Sequence, residues 1–250
     1  MSARMKRTLS LLGLSVPATL FLTGCSKVSG LGFEEGVTSV NDHSLSLWQG
    51  AWIAAGVVGV FTLILIMWPV FFHRLKKDSP EFPKQTQYNV PVEVLYTVIP
   101  FIIVAVLFAY TVKAQTEITA KTTGAAHEIS VEGIQWSWQF GYSEAGPDAV
   151  VTGTPAQPPT LYLPQGEKVR FTITANDVVH GFWIPAFMIQ MQNLPGVTNK
   201  LEFTANKLGT YPGRCNILCG RNHTQMIFTV KVVTPSEYQN YLDTLKASAA

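Results

Sequence analysis

The sequence predicts two membrane-spanning α-helices followed by an all-β domain. Two observations set this fold class. Residues 48–72 and 92–112 are long apolar runs, the first without a charged residue and the second with Glu93 as its one charge. Beyond residue 113 the pattern changes to short stretches of alternating apolar and polar residues between glycines and prolines, as in a β-sandwich or barrel. A third observation concerns chemistry. Residues 215–226 read C-N-I-L-C-G-R-N-H-T-Q-M, which sets two thiols, an imidazole and a thioether at C-x3-C-x3-H-x2-M.

The chain has 250 residues, room for one domain plus membrane segments. Its formal charge is +2, and no basic stretch with interleaved aromatics suggests a nucleic-acid partner. No C-x-x-C-H motif is present, so no haem is expected on this chain.

Residues 1–24 read as a targeting segment. Arg4, Lys6 and Arg7 form a basic start, and 9–22 is an apolar run too short to span a bilayer comfortably. The run ends in L-T-G-C at 22–25, which resembles a bacterial lipoprotein signal box. On that resemblance cleavage leaves Cys25 as a lipid-bearing N-terminus and the formal charge falls to about −1. An ordinary signal peptide with a chance cysteine is the alternative.

Residues 25–47 are polar and read as an extracytoplasmic linker, with His43 a solvated side chain rather than a ligand. Residues 48–72 would rise about 37 Å as a helix, enough to cross with tilt. Trp48, Trp52 and Trp68 suit interfacial anchoring, and Pro69 is tolerable near the end. Residues 73–91 carry Arg74, Lys76, Lys77 and Lys84, which places this loop in the cytoplasm. Both ends of the hairpin then face outward, in agreement with a lipid on Cys25. Residues 92–112 form the second span, with Pro91 suited to its first turn and Pro100 expected to kink or loosen it. By residue type alone, Glu93 complements the positive end of the helix dipole.

Residues 113–250 read as the β domain, with ten basic and ten acidic residues. Strands are expected at 128–131, 168–174, 200–204 and 227–233. A Gly/Pro-rich loop is expected at 141–159, and a closing helix at 235–247 with Ser236 as cap.

A single blue-copper site needs one Cys, two His and a weak Met, and the 215–226 stretch has one Cys too many. His180 is available as a second imidazole. Two thiolates, two imidazoles, one thioether and a backbone carbonyl between the cysteines suffice for two copper ions bridged by two sulfurs. A disulfide between cysteines four apart would have awkward geometry, and zinc seldom takes Met.

The 215–226 stretch resembles the copper loop of cytochrome c oxidase subunit II. Three further segments carry the resemblance, which spans 48–233. They are D-V-V-H-G-F-W-I-P at 177–185, Q-W-S-W at 135–138, and the start of the second apolar run from Val92 and Glu93 to Pro100. The resemblance narrows the β domain to a cupredoxin-like Greek-key barrel. It implies a dinuclear copper (CuA) centre. Cys215 and Cys219 would bridge both ions, His180 and His223 would bind one each, and Met226 and the Ile217 carbonyl would be weak ligands.

The resemblance also assigns roles outside the ligand set. Trp136 accepts electrons, although a tryptophan is equally suited to a sandwich core; Asp177 belongs to the donor-docking patch; Glu93 lies at the mouth of a proton path. No residue of this chain would be catalytic for oxygen reduction. Haems and the oxygen-site copper would belong to subunit I, with subunit III a further partner. The donor would be cytochrome c or a haem-c subunit of a partner complex. The implied activity is reduction of dioxygen to water coupled to proton pumping, in a bacterial cytoplasmic membrane with the copper domain outside.

Ile217 departs from the family, which has Glu between the cysteines. The missing carboxylate normally helps to hold magnesium at the subunit I junction, so a conventional site is not expected; waters or subunit I would have to complete it. The competing function is a copper-carrying membrane lipoprotein, a metallochaperone or store, which needs neither two spans nor Glu93. A quinol oxidase subunit would keep the fold but lose the copper ligands.

Overall fold

The computed structural model describes residues 32–80, 82 and 85–249. The expected signal peptide, the lipid site at Cys25 and Lys84 lie outside the described residues. Two long helices, α1 (Asn41–Phe72) and α2 (Val90–Ile118), precede ten strands and a terminal helix, α3 (Pro235–Ala249).

Helix α1 begins seven residues before the apolar run. Its first turn falls in the polar stretch expected to be linker, but it is fixed by contacts remote in sequence. Asn41 is fully buried; its Oδ1 accepts from Thr38 N (3.0 Å), and Thr38 Oγ1 accepts from Asn41 N (3.1 Å). The segment just before it is tied to the β domain by Ser39 N to Thr204 O (2.9 Å) and Asn206 N to Val37 O (2.8 Å). His43 sits half-buried on this turn.

Helix α2 runs six residues past the apolar stretch, because leaving an apolar phase does not end a helix whose backbone bonds continue. Its start is capped at Asn89, whose Oδ1 accepts from Val92 N (3.4 Å) and whose N donates to Glu93 Oε1 (2.9 Å). The apolar faces of α1 and α2 are exposed throughout their hydrophobic centres, as lipid-facing spans require.

The β domain is two five-stranded sheets face to face. One is ordered β3 (Val150–Thr152), β2 (Ser137–Tyr142), β1 (His127–Ile134), β5 (Lys168–Ala175), β8 (Asn199–Thr204). The other is ordered β4 (Thr160–Pro164), β10 (Ile227–Val233), β9 (Gly209–Cys215), β6 (His180–Ile184), β7 (Ile189–Asn193). The chain crosses repeatedly between sheets, and β1–β5 and β4–β10 pair in parallel. Strand β5 shows the register: Val169, Phe171, Ile173 and Ala175 point inward, while Arg170, Thr172 and Thr174 alternate outward.

An aromatic cluster fills the space between sheets. Phe182 stacks on Phe228 (5.1 Å between ring centres), and Trp138 meets Phe228 edge-on (5.3 Å). The 141–159 segment is not all loop, since β2 ends at Tyr142 and β3 pairs with it. The cap of α3 is Thr234 rather than Ser236. Its Oγ1 accepts from Glu237 N (3.3 Å), while Glu237 Oε2 accepts from Thr234 N (2.9 Å).

The linker between α2 and β1 is held by a polar knot. Arg170 Nε bonds Glu202 Oε1 (2.7 Å), Thr122 N donates to Glu202 Oε2 (3.0 Å), and Arg170 Nη2 donates to Thr122 O (2.8 Å). Glu202 is buried, so its charge depends on these partners.

Candidate metal centre

Adjacent strand ends bring the ligands together. His180 opens β6, Cys215 closes β9, and the two strands pair with Phe182 opposite Cys215. The 216–226 loop between β9 and β10 closes on itself through Cys215 N to Met226 O (2.9 Å) and His223 N to Gly220 O (3.2 Å). Gly220 has φ +126°, and a Cβ there would lie 3.0 Å from Trp136 Nε1, so the tight loop needs glycine twice over. Gly133 on β1 serves closeness alone, because a Cβ would fall 2.8 Å from the His180 ring.

One ring nitrogen of His180 and the sulfurs of Cys215 and Cys219 lie within 4.8 Å of one another, all buried. The sulfurs are 3.9 Å apart and both cysteines are free. Cys219 Sγ lies 3.6 Å from His223 Nδ1 and 3.7 Å from Met226 Sδ. Cys215 Sγ donates to the Ile217 carbonyl (3.2 Å), so that oxygen points into the cluster. His180 Nε2 bonds Asp177 Oδ1 (2.8 Å), while its Nδ1 is buried without a hydrogen-bond partner of normal geometry.

A buried imidazole held by a carboxylate on one nitrogen and orphaned on the other is the arrangement of a metal ligand. With two thiols and a thioether around it, the set fits a soft metal such as copper.

Electrostatics agree with this reading. Burial works against ionising Cys215, but His180, the Gly181 and Ile217 backbone and His223 outweigh it, bringing its thiol down to about 6. Burial and the neighbouring Cys215 push Cys219 up to about 12. The pair therefore releases one proton readily and holds the second until a cation offsets the charge. For His180 burial disfavours the charge, yet Cys215 and Asp177 raise its pKa. Burial also opposes ionisation of Asp177, but bonds from His180, Val178 N and Gln135 N hold it below the usual range.

Asp177 is therefore tied back to the fold while its side chain stays partly exposed. Its Oδ2 accepts from Gln135 N (2.6 Å) and Oδ1 accepts from Val178 N (2.6 Å), in addition to His180. The two tryptophans of 135–138 separate. Trp138 is fully buried, with Nε1 donating to Met226 O (3.4 Å), whereas Trp136 is half-buried with Nε1 donating to Cys219 O (3.3 Å). The side chain of Ile217 lines an open cleft of about 620 Å³ between the adjoining ends of α1 and α2, strand β7 and the metal loop. Glu93 lies at the opposite end of α2 from this cleft, in the cap described above.

Sequence reasoning missed three supports. Gln135 Nε2 donates to Cys219 O (2.8 Å). Asn193, fully buried opposite His180, accepts from Phe182 N (3.1 Å) and donates to Val131 O (3.3 Å) and Thr174 O (2.9 Å) across the sheets. Gly133 is the third. A polar Asn closing a strand was the one available signal.

Fold and site together define a membrane-anchored β-domain protein with a buried soft-metal centre. The family model described as cytochrome C oxidase subunit II, periplasmic domain, matches residues 157–233. A probable cytochrome c oxidase subunit 2 of Streptomyces coelicolor is 38% identical, covering 89% of this chain and 82% of that protein. Cytochrome c oxidase subunit 2 of Mycobacterium tuberculosis is 31% identical, covering 96% and 82%. The periplasmic domain of the Bradyrhizobium japonicum oxidase subunit II superposes at TM-score 0.45 with 27% identity, over 52% of this chain and 100% of that one.

The chain belongs to the cytochrome c oxidase subunit 2 family. Its domain is the cupredoxin-like one of that family, and it is an oxidase subunit with a subunit I partner. Membership implies copper, which the donor set fits.

Proposed function

We propose that this chain accepts electrons from a haem-c donor at a dinuclear copper centre and passes them to the haems of subunit I. The observation that carries the reading is the buried group of His180, Cys215 and Cys219, with the half-buried His223 and the buried Met226 against Cys219 and His180 Nδ1 left open. Cys215 and Cys219 would bridge two ions. His180 Nδ1 and a ring nitrogen of His223 would hold one each, with Met226 and the Ile217 carbonyl as weak ligands. Copper supplies one-electron redox chemistry there. The chain's own contribution is rigidity: ligands on strand ends and a closed loop hold one geometry in both redox states, and the buried apolar shell keeps water away.

Trp136 is assigned as the electron-accepting aromatic, supported by its contact with the Cys219 carbonyl. Glu93 is assigned to the proton path at the cytoplasmic end, although its bond to Asn89 N suits the capping role equally. Residues 73–91 are assigned to the cytoplasm and Cys25 to a lipid anchor, which the intact mass of the mature chain tests. Subunit III is proposed as a further partner. A magnesium ion held by this chain is not proposed, because Ile217 offers no carboxylate.

The test is Cys219→Ser in the purified oxidase. Loss of copper, or collapse to one ion with loss of the mixed-valence electron spin resonance pattern, is expected. Two coppers with the native pattern would overturn the bridging assignment. A cuprous store would show no such resonance in the wild type.

A further inference from the structure

Four loops form the end of the sandwich that holds the cluster: 135–136, 176–179, 194–198 and 216–226. Loop 194–198 belongs there because β7 ends at Asn193 opposite His180, and Pro195 bridges to Ala175. These loops contain two formally charged side chains, Asp177 and Arg221. The Asp177 carboxylate already takes three hydrogen bonds from within the fold. Arg221 is exposed and has no hydrogen bond or ion pair among the described residues.

The rest of the face is uncharged: Leu218 is 80% exposed, Val197 48% and Val178 37%, beside the half-buried Trp136 and among the exposed neutral side chains of Gln135, Asn176, Thr198, Thr224 and Gln225. On the outer strand faces just behind the rim, Glu132 is offset by Lys200 and Arg214. The formal charges at this end of the sandwich thus do not sum to a negative value. A lysine-rich partner finds there only the Asp177 carboxylate, already bonded within the fold, whereas an apolar surface with a carboxylate matches both the exposed aliphatics and the unpaired guanidinium.

We propose that the electron donor of this chain is a haem-c protein whose docking face is apolar and flanked by carboxylates, seated on Leu218 and Val178 with an acid against Arg221. This rests on the reading of the cluster as the point where electrons enter. The test uses the purified oxidase with two probe cytochromes c, one with a lysine-ringed haem edge and one with an apolar, acid-flanked edge. The second-order oxidation rate is followed from low to physiological ionic strength.

The acid-flanked donor should react faster, with only a shallow loss as salt rises, about threefold, because one charge pair is involved. Arg221→Glu should slow that donor severalfold at unchanged copper content, while Arg221→Gln has a smaller effect in the same direction. A faster lysine-ringed donor with a steep salt dependence would overturn the proposal. Equal rates for both donors with no response to Arg221→Glu would also overturn it. Photoreduction of the centre by a small molecule separates the two readings. If electrons then reach the haems, a negative docking result concerns the donor alone; if they do not, the relay reading itself fails.

Discussion

Replacing Asp177 by Asn separates two roles for this residue, donor docking and orientation of His180. The carboxylate takes Val178 N and His180 Nε2 on one oxygen and Gln135 N on the other. Asparagine can offer an oxygen to the first pair, but its amide then faces Gln135 N at a former separation of 2.6 Å, donor against donor. The alternative flip turns the amide on His180 instead. The first orientation strands Gln135 N, the second strands Val178 N and His180 Nε2, and either way the imidazole loses the negative charge that raises its basicity.

Losses of this kind weaken metal binding about 10–100-fold, or about 1.4–2.7 kcal/mol. Competitive chelator titration of the copper-loaded complex measures it directly, with donor oxidation at saturating copper as the second readout. Unchanged copper affinity with a weakened donor interaction would refute the orienting role and leave the docking one.

The other predictions concern separate parts of the chain. Trp136→Phe keeps an aromatic side chain but removes the bond to Cys219 O; copper content should stay normal while donor-to-copper electron transfer slows at least about tenfold. Copper loss in that variant, measured by metal analysis, would make Trp136 a supporting residue. Glu93→Gln should lower oxygen-reduction turnover at unchanged copper content; unchanged turnover with a lower melting temperature would leave only the cap. Burial alone would raise the pKa of Glu202, but Arg170 and Thr122 hold it below the usual range, so its ionised form stabilises the fold. That contribution is full above the unfolded glutamate pKa and is lost as pH falls through the lower folded value. Glu202→Gln should therefore lower the melting temperature at pH 7, and the gap from wild type should narrow on acidification. A gap that stays constant with pH would show that the charge plays no part.

The ligand types were legible because copper demands them whatever surrounds it. C-x3-C-x3-H-x2-M is local in sequence, and a loop of this length closes on itself. The two spans were legible because a bilayer tests composition over about twenty residues and nothing else. Strand β5 was legible because a half-buried strand must alternate.

Other features depended on groups distant in sequence. The first turn of α1 is helical because Asn41 is buried and the preceding segment is bonded to Thr204, which no property of a polar stretch announces. Trp136 and Trp138 are two residues apart in the same composition, and only sheet packing sends one to the core and leaves the other against the metal loop. The cap of α3 depended on which of two hydroxyls reached Glu237. Asp177 shows the limit best. An aspartate three residues before a histidine suits a surface patch as well as a ligand support, and its orientation is fixed by Gln135, forty-two residues earlier in the chain. Residue type sets which bonds a group can make; the fold sets which partners come within reach.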